Sequence, residues 1–231
     1  MSGHLTNEKL EYVNREKLMT LTTKVSLPKP LLPDHRYPVI YLLHGMGSDE
    51  EDIFSLFETL KEKYILIAIR GPLQRGNGYA YFNILRIGYP EIGSFEDILV
   101  QLKDTMGELQ KRYPIDPDRQ FMAGFSQGAI LSMSMAIRYG AFFNGIAALH
   151  GYVPQHVSAE TVADLEALHV CIGHGERDEM FSMAVGRANE AFFRDRSPEV
   201  TFKTYPNGHG VSESEKTEVI AWFEAFTKEL T

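Results

Sequence analysis

Short apolar runs alternate along the chain with segments in which apolar positions recur at helical spacing. The runs lie at residues 39–43, 64–69, 121–123, 146–149, 170–172 and 200–205. Continuous apolar runs of strand length, without period-2 alternation, are typical of strands that are covered on both faces. We therefore expect these runs to form buried strands.

The segments between the strands carry apolar residues three and four positions apart, which predicts amphipathic helices. The predicted helices lie at residues 49–63, 94–112, 129–139, 182–194 and 212–230. Ser94 and Asp97 are spaced as in a capping box at the start of the second helix. Pro114 and a turn at residues 116–118 are expected to end that helix.

Strands that alternate with helices indicate parallel βαβ units. The N-terminal part differs, because residues 11–14 and 18–27 read as two strands joined around residues 15–17 with no helix between them. We predict an α/β fold with a mostly parallel central sheet, helices on both faces, an antiparallel N-terminal hairpin at one edge and no large cap domain. Ligands of such sheets bind at the carboxyl ends of the strands.

Composition excludes several classes of protein. The chain has 231 residues, of which 44% are hydrophobic and 23% charged, which fits a single domain spanning residues 1–231. The net charge of −8 argues against a nucleic-acid partner. Cys171 is the lone cysteine, so a disulfide scaffold and a cysteine-rich zinc site are excluded.

Membrane association is not expected from this sequence. Residues 1–10 contain no apolar targeting region, and no apolar run approaches the roughly 20 residues of a membrane helix. We expect a cytoplasmic protein with no stable membrane anchor.

Residues 124–128, Gly-Phe-Ser-Gln-Gly, fit the pattern G-x-S-x-G between a predicted strand and a predicted helix. That context is the one in which the pattern marks a nucleophile, because a sharp strand-to-helix turn exposes the serine hydroxyl. We interpret Ser126 as the nucleophile. The alternative is a glycine-flanked turn whose serine caps the helix.

A serine hydroxyl needs an adjacent base, and the pattern predicts the chain order serine, acid, histidine. His209 lies in the loop after the last predicted strand and is the expected base. Asp178, Glu176 and Glu179 all follow the preceding strand. We choose Asp178 as the acid, although sequence reasoning alone leaves the other two open.

Three further histidines follow predicted strands. His44 is interpreted as a structural residue that bonds its own loop, and His150 as a loop brace, with the rim of the site as the alternative. His174 is a second candidate partner for Ser126, but it is disfavoured because it precedes the acid.

Together these motifs resemble the α/β-hydrolase superfamily. The resemblance is carried by residues 43–47, 124–129, 174–178 and 208–210, in that order. Within the superfamily, the chain is similar to the small carboxylesterase, phospholipase and acyl-protein thioesterase family, and residues 70–82 look more like its bacterial esterases. The resemblance implies a triad of Ser126, Asp178 and His209.

An oxyanion hole is expected from two backbone N–H groups. One belongs to Gln127, the residue after the nucleophile. The resemblance of residues 44–47 to the H-G-x-G loops of the superfamily implies Met46 as the second.

The expected activity is hydrolysis of small or medium carboxylic esters through an acyl-enzyme, with a thioesterase or lysophospholipase as the alternative. A hydrolase-fold module that binds without catalysis is the third interpretation. No cofactor or metal is implied, the expected partner is a small-molecule ester, and a homo-oligomer is left open. The residues expected to line the substrate pocket are Tyr79, Tyr81, Phe82, Met180 and Phe181, although Phe181 equally suits the core.

Overall fold

The computed structural model describes residues 21–160 and 162–227. The strands are β1 (Thr23–Ser26), β2 (Tyr37–Leu43), β3 (Ile65–Ile69), β4 (Leu73–Arg75), β5 (Gly78–Ala80), β6 (Ile84–Arg86), β7 (Tyr89–Pro90), β8 (Ile115–Phe125), β9 (Gly145–Leu149), β10 (His169–Gly175) and β11 (Val200–Tyr205). The helices are α1 (Glu50–Phe57), α2 (Ile92–Arg112), α3 (Gln127–Tyr139), α4 (Gln155–Ser158), α5 (Met183–Arg194) and α6 (Glu213–Ala225).

Seven strands form the central sheet in the order β1-β3-β2-β8-β9-β10-β11. All neighbours pair in parallel except β1, which pairs antiparallel with β3 at the edge. The pairs β4–β5 and β6–β7 form two small hairpins between β3 and α2. The predicted mostly parallel α/β architecture is confirmed. Strand β8 lies at the centre of the sheet, so its carboxyl end has two or more strands on either side.

Helices cover both faces of the sheet, which explains the continuous apolar runs. Val39, Tyr41 and Leu43 of β2 belong to one apolar cluster, with residues of α2, α3 and α5. Ile40 and Leu42 belong to the other cluster, with residues of α1 and α6. Because successive side chains of a strand point to opposite faces, every residue of such a strand is buried.

The start of α2 differs from the prediction. The helix begins at Ile92 with Glu91 as its N-cap, and the Glu91 carboxylate accepts from the N–H groups of Gly93 and Ser94. The Ser94 hydroxyl accepts instead from the backbone of Asn83. The predicted capping box that begins at Ser94 is therefore wrong, because Glu91 occupies the cap one turn earlier.

Strand β8 begins earlier than predicted. The pair Tyr37 and Ile115 is followed by the pair Val39 and Gln120, so β8 has extra residues opposite β2. Residues 116–118, predicted as a turn, form this irregular first part of the strand.

The other predicted helices are observed with small differences at their ends, and the short helix α4 is an addition to them. A 3₁₀ turn at Glu58–Leu60 replaces the end of the helix predicted at residues 49–63. The predicted strand at residues 11–14 and the predicted helical end at 228–230 lie outside the described residues. Among the described helices, none is both long and apolar enough to cross a membrane.

Gly128 allows α3 to approach β2 closely, and its replacement gives a direct test of this packing. A Cβ at Gly128 would lie 2.0 Å from the carbonyl oxygen of Leu43. Since overpacking costs roughly 1–3 kcal/mol, we expect Gly128→Ala to lower the free energy of unfolding by about 2 kcal/mol in urea denaturation.

The matched control is Gly107→Ala in α2, where a Cβ would have no neighbour within 4 Å. Alanine is a better helix former than glycine, so this variant should gain about 0.5–1 kcal/mol. Equal effects of the two substitutions would contradict this account of the packing.

Candidate active site

Ser126 lies in a tight turn between the centre of the sheet and helix α3. Its backbone has φ 52° and ψ −112°, a region that residues other than glycine rarely adopt. The N–H of Ser126 donates to the carbonyl of Leu149 at 2.9 Å, and its carbonyl accepts from Ile130 at 3.0 Å. Such a conformation costs of order 1–3 kcal/mol and persists only where the surrounding structure enforces it.

The glycines around Ser126 make this turn sterically feasible. A Cβ at Gly124 would lie 2.2 Å from the backbone of Gly128, and Gly128 itself lies against β2. Any side chain at either position would push α3 away from the sheet. The G-x-S-x-G spacing is therefore required by the approach of helix to strand.

The side chains of Ser126, His209 and Asp178 form one chain of hydrogen bonds. The distance from Ser126 Oγ to His209 Nε2 is 2.9 Å, and that from His209 Nδ1 to Asp178 Oδ2 is 2.8 Å. The three residues follow β8, β11 and β10 at the carboxyl end of the sheet. With Nδ1–H donating to the carboxylate, Nε2 of His209 is free to accept the serine proton.

Asp178 is buried and accepts hydrogen bonds at both carboxylate oxygens. Oδ1 accepts from the N–H groups of Met180 and Phe181, both at 2.9 Å, and Oδ2 faces His209 and His150. Burial alone would raise the pKa of the Asp178 carboxyl, but these donors outweigh burial and lower that pKa to about 2.

The other two candidate acids have different neighbours. Glu176 accepts from the Thr204 hydroxyl at 3.1 Å. The Glu179 carboxylate lies beside the backbone of Gly208. Of the three, Asp178 is the carboxylate hydrogen-bonded to the imidazole of His209.

The loop after β2 lies against the turn at Ser126. A Cβ at Gly45 would lie 2.9 Å from the Phe125 ring and 3.5 Å from Cβ of Ser126. His44 Nε2 accepts from the Gly71 N–H at 3.0 Å, and its Nδ1 donates to the Gly45 carbonyl at 2.7 Å. Burial lowers the pKa of His44, which favours the neutral ring that this bonding pattern requires.

Gln127 is the first residue of α3, so its backbone N–H has no acceptor within the helix. Its buried side chain accepts from the Tyr81 N–H at 3.0 Å and donates to the Phe82 carbonyl at 2.9 Å. The side chain therefore ties the backbone of Tyr81 and Phe82 to the turn at Ser126. Met46 lies in the loop after β2, and its side chain is exposed.

Two of the residues expected in a substrate pocket belong to the core. Tyr81 and Phe82 are 1% and 0% exposed, and the Phe82 ring packs against Phe95 with 5.0 Å between centroids. The Tyr81 hydroxyl accepts from the N–H of His44. The pocket assignment of these two aromatic residues is corrected, because they pack in the core. Tyr81 supports the loop after β2 and Phe82 packs against α2.

The remaining pocket candidates are nearer to solvent. Tyr79 pairs through its backbone with Ser48 in the loop after β2. The Phe181 ring lies 5.3 Å from the His209 ring and is buried in the larger core cluster, as the alternative for this residue expects, whereas Met180 is exposed. Both residues therefore adjoin Asp178 through their backbone N–H groups, and Phe181 also contacts His209.

A surface groove reaches His209 from the side of α1 and α6. Its volume is about 400 Å³, and it is lined by apolar and polar side chains that include Ile53, Leu56, Phe125, Val211 and Lys216. None of the five predicted pocket residues lines it. Sequence reasoning missed this groove because its walls come from helices that are distant in the chain.

His150 and Glu215 also belong to the hydrogen-bonded cluster around Asp178. From the sequence, His150 is interpreted as a loop brace with the rim of the site as the alternative, and no motif points to Glu215. His150 lies between Asp178 and Glu215, within 2.9 Å and 3.1 Å of their carboxylates. His150, Asp178 and His209 each offer one potential metal-ligand atom, and these atoms lie within 4.8 Å of one another. These nitrogen and oxygen atoms already bond to one another, from His150 to Asp178 and from Asp178 to His209. We therefore assign them to a hydrogen-bond network and not to a metal site.

The bonds to Asp178 predict how stability depends on pH. Because the pKa of Asp178 in the folded protein is about 2 and its ordinary value is 3.8, the carboxylate stabilises the fold above pH 4. This contribution, about 2 kcal/mol, is lost as the pH falls through 2. Urea denaturation gives the free energy of unfolding of the wild-type protein and of Asp178→Asn. The wild-type value should exceed the variant's value by less at pH 3 than at pH 6. An advantage that is constant over that range would contradict the assignment.

Comparison with known proteins agrees with the fold. The family model described as Phospholipase/Carboxylesterase matches residues 33–226. The putative hydrolase MhqD of Bacillus subtilis is 24% identical over 189 residues, which cover 80% of this chain and 92% of that protein. Acyl-protein thioesterase 1 of Debaryomyces hansenii is 27% identical over 212 residues, covering 82% of this chain and 91% of that protein.

Solved structures show the same fold. The carboxylesterase of Bacillus cereus superposes with a TM-score of 0.80 at 22% identity, over 90% of this chain and 95% of that one. The carboxylesterase of Mesorhizobium loti gives 0.73 at 24% identity, over 84% and 98%. The chain is thus an α/β-hydrolase-fold protein that belongs to the phospholipase/carboxylesterase family.

Proposed function

We propose that this hydrolase is a serine carboxylesterase in which Ser126 is the nucleophile, His209 the general base and acid, and Asp178 the residue that orients His209. The observation that carries the proposal is the hydrogen-bonded chain from Ser126 Oγ through His209 to Asp178. Family membership supports an ester hydrolase in general. The assignment of roles rests on the geometry.

In the first half of the reaction, His209 Nε2 takes the hydroxyl proton as Ser126 Oγ attacks the ester carbonyl. Asp178 keeps Nδ1–H in place and stabilises the imidazolium that forms. His209 then donates that proton to the leaving alcohol, and the acyl group stays on Ser126. Water attacks the acyl-enzyme by the same route, which releases the acid and restores the serine.

The negative oxygen of each tetrahedral intermediate needs donors that are already in position. We assign this role to the backbone N–H groups of Gln127 and Met46. The position of Gln127 at the start of α3 and the contact of Gly45 with Ser126 support the assignment. Each such donor lowers the barrier by about 3 kcal/mol in measured cases.

We propose small or medium acyl esters as substrates. The connection between β9 and β10 holds the four-residue helix α4, which is too small to serve as a cap over the site. The groove at His209 offers apolar contacts from Ile53 and Leu56, and the Phe181 ring lies 5.3 Å from the His209 ring. We further propose that the protein acts in the cytoplasm, without a cofactor, a nucleic-acid partner or a stable membrane anchor.

The alternative is a thioesterase or lysophospholipase that uses the same triad. Similarity to acyl-protein thioesterase 1 of two yeasts favours testing it. The leaving group is a thiol or a glycerol phosphodiester in these cases, and the attack by Ser126 is unchanged.

Removal of the nucleophile tests the proposal. Ser126→Ala should reduce kcat on a p-nitrophenyl ester by about 10⁴-fold or more, since residual activity then comes from the oxyanion hole and binding alone. The purified wild-type protein should be labelled by a fluorophosphonate at Ser126, and dialysis against EDTA should leave kcat unchanged.

Ser134→Ala is the matched control. Ser134 is a buried serine of α3 whose hydroxyl donates to the carbonyl of Ile130, so its loss removes a hydroxyl from the same helix without touching the triad. Full esterase activity in Ser126→Ala, or labelling at another serine, would contradict the proposal.

The leaving group is tested by comparing three substrates with one acyl chain: an oxygen ester, a thioester and a lysophospholipid. We expect the highest kcat/KM for the oxygen ester. In a second series of oxygen esters that differ in acyl chain, kcat/KM should fall as the chain lengthens. A higher kcat/KM for the thioester or the lysophospholipid would select the alternative.

A further inference from the structure

A second histidine is hydrogen-bonded to the acid of the triad. Oδ2 of Asp178 lies 2.9 Å from Nδ1 of His150 as well as 2.8 Å from Nδ1 of His209. His150 is fully buried, has a positive φ of 56°, and its N–H donates to the Gly173 carbonyl at 2.9 Å. A buried ring in a strained backbone conformation indicates that the surrounding structure fixes its position.

The other ring nitrogen of His150 faces a second buried carboxylate. Nε2 lies 3.1 Å from Oε2 of Glu215, whose side chain has no exposed surface. Glu215 is the third residue of α6, and its N–H donates to the Ser212 hydroxyl at 3.2 Å. In a capping box the glutamate would return to the backbone of that serine, but here its carboxylate turns into the core.

The strands leave space for this carboxylate. A Cβ at Gly173 would lie 2.1 Å from Oε1 of Glu215, and one at Gly175 would lie 3.1 Å from the His150 ring. In the part of the chain that the structure describes, Oε1 of Glu215 is buried and has no hydrogen-bond partner. Burial of a carboxylate with so few donors is costly unless a positive charge compensates it.

The number of protons in the cluster follows from the geometry. A neutral imidazole has one N–H and can donate to one carboxylate, whereas both nitrogens of His150 face carboxylate oxygens. The titratable groups around the ring are Asp178, Glu215, His209 at 5.7 Å and His174 stacked at 5.9 Å. His174 does not supply the second proton, because its Nε2 donates to the Phe181 carbonyl and its ring does not bond to His150.

We propose that His150 is a buried imidazolium, bonded to Asp178 and Glu215, and that it acts as a positioning residue for the triad. The hydrogen-bonded chain then runs from Glu215 through His150, Asp178 and His209 to Ser126. This proposal rests on the triad assigned above. Its electrostatic consequence is that a cation beside Asp178 offsets part of the carboxylate charge and so weakens the stabilisation that Asp178 gives to a proton on Nε2 of His209.

The electrostatics of the site agree with a charged ring. Burial lowers the pKa of His150, but the hydrogen bonds and charges of Glu215 and Asp178 outweigh burial and raise it. Two carboxylates therefore stabilise the imidazolium more than the apolar surroundings destabilise it.

The charge state can be observed directly in the wild-type protein. In ¹⁵N–¹H NMR of histidine-labelled protein at pH 7.5, both ring nitrogens of His150 should carry a proton and have the shifts of an imidazolium. A neutral His150 with a single N–H would overturn the proposal. This measurement needs no substrate, so its outcome is independent of whether the protein is an esterase.

The effect on the reaction is tested by the pH profile of kcat/KM for a p-nitrophenyl ester. Glu215→Gln keeps the shape of the side chain but removes the charge that stabilises the imidazolium. His150→Asn keeps a donor toward Asp178, and asparagine tolerates a positive φ. His150→Asn removes the cation alone, so we expect its acidic limb to move up by about 0.5–1 pH unit. Glu215→Gln removes the cation together with the carboxylate on the other side of the ring, so its acidic limb should move up by a smaller amount.

The double variant and a control on the same helix separate this role from a structural one. Since both substitutions remove the same cation, the double variant should shift the acidic limb no further than either single variant. Glu218→Gln removes a carboxylate of α6 that bonds to Lys203 and Tyr205, and it should leave the limb in place.

The outcomes distinguish the two proposals. An acidic limb that stays at the wild-type pH in Glu215→Gln, or that moves equally in Glu218→Gln, would overturn the role of His150. If fluorophosphonate does not label Ser126 in the wild-type protein, the esterase assignment is overturned. The NMR result on the charge of His150 is unaffected by that outcome.

Discussion

The Asp178 carboxylate is the point on which the organisation of the site depends. Four donors converge on it: two backbone N–H groups from its own loop, and the rings of His209 and His150. These donors come from the segments that follow β9, β10 and β11, so the carboxylate ties together three loops that are distant in the sequence. A buried anion with four donors is stable, whereas the same anion with one donor missing would be strongly destabilising.

The second constraint is steric and lies at the nucleophile. Helix α3 approaches both β8 and β2 so closely that neither Gly124 nor Gly128 has space for a Cβ, and Ser126 adopts a positive φ between them. The strain at this turn is offset by the packing of α3 and by the apolar clusters on both faces of the sheet. Strain and burial therefore act together: the core keeps the helix in position, and the helix keeps the hydroxyl next to His209.

Much of this arrangement could be predicted from the sequence, because the strongest constraints are local. Strands covered on both faces are recognisable as continuous apolar runs, and the steric demand at Ser126 leaves a pattern of small residues around it. The position of His209 follows from the order of the strands. Asp178 shares its loop with Glu176 and Glu179. The bond to His209 that distinguishes Asp178 from these two acids is visible only in three dimensions.

The parts that could not be predicted depend on contacts between distant segments. Tyr81 and Phe82 look like pocket aromatics in a loop, but long-range packing buries them behind the site. Glu215 follows Ser212 with the spacing of a capping box, and its inward turn is visible only from its burial beside Gly173 and His150. The buried imidazole of His150 could not be inferred without knowing that Glu215 lies opposite Asp178.

The central claim is that Ser126 carries the acyl group during ester hydrolysis. The most direct test is rapid-quench mass spectrometry of the intact protein mixed with a p-nitrophenyl ester, followed by peptide mapping of the adduct. The account predicts a transient mass increase equal to one acyl group, located on Ser126 and formed at the rate of the nitrophenol burst. Turnover with no adduct, or an adduct on any other residue, would contradict it.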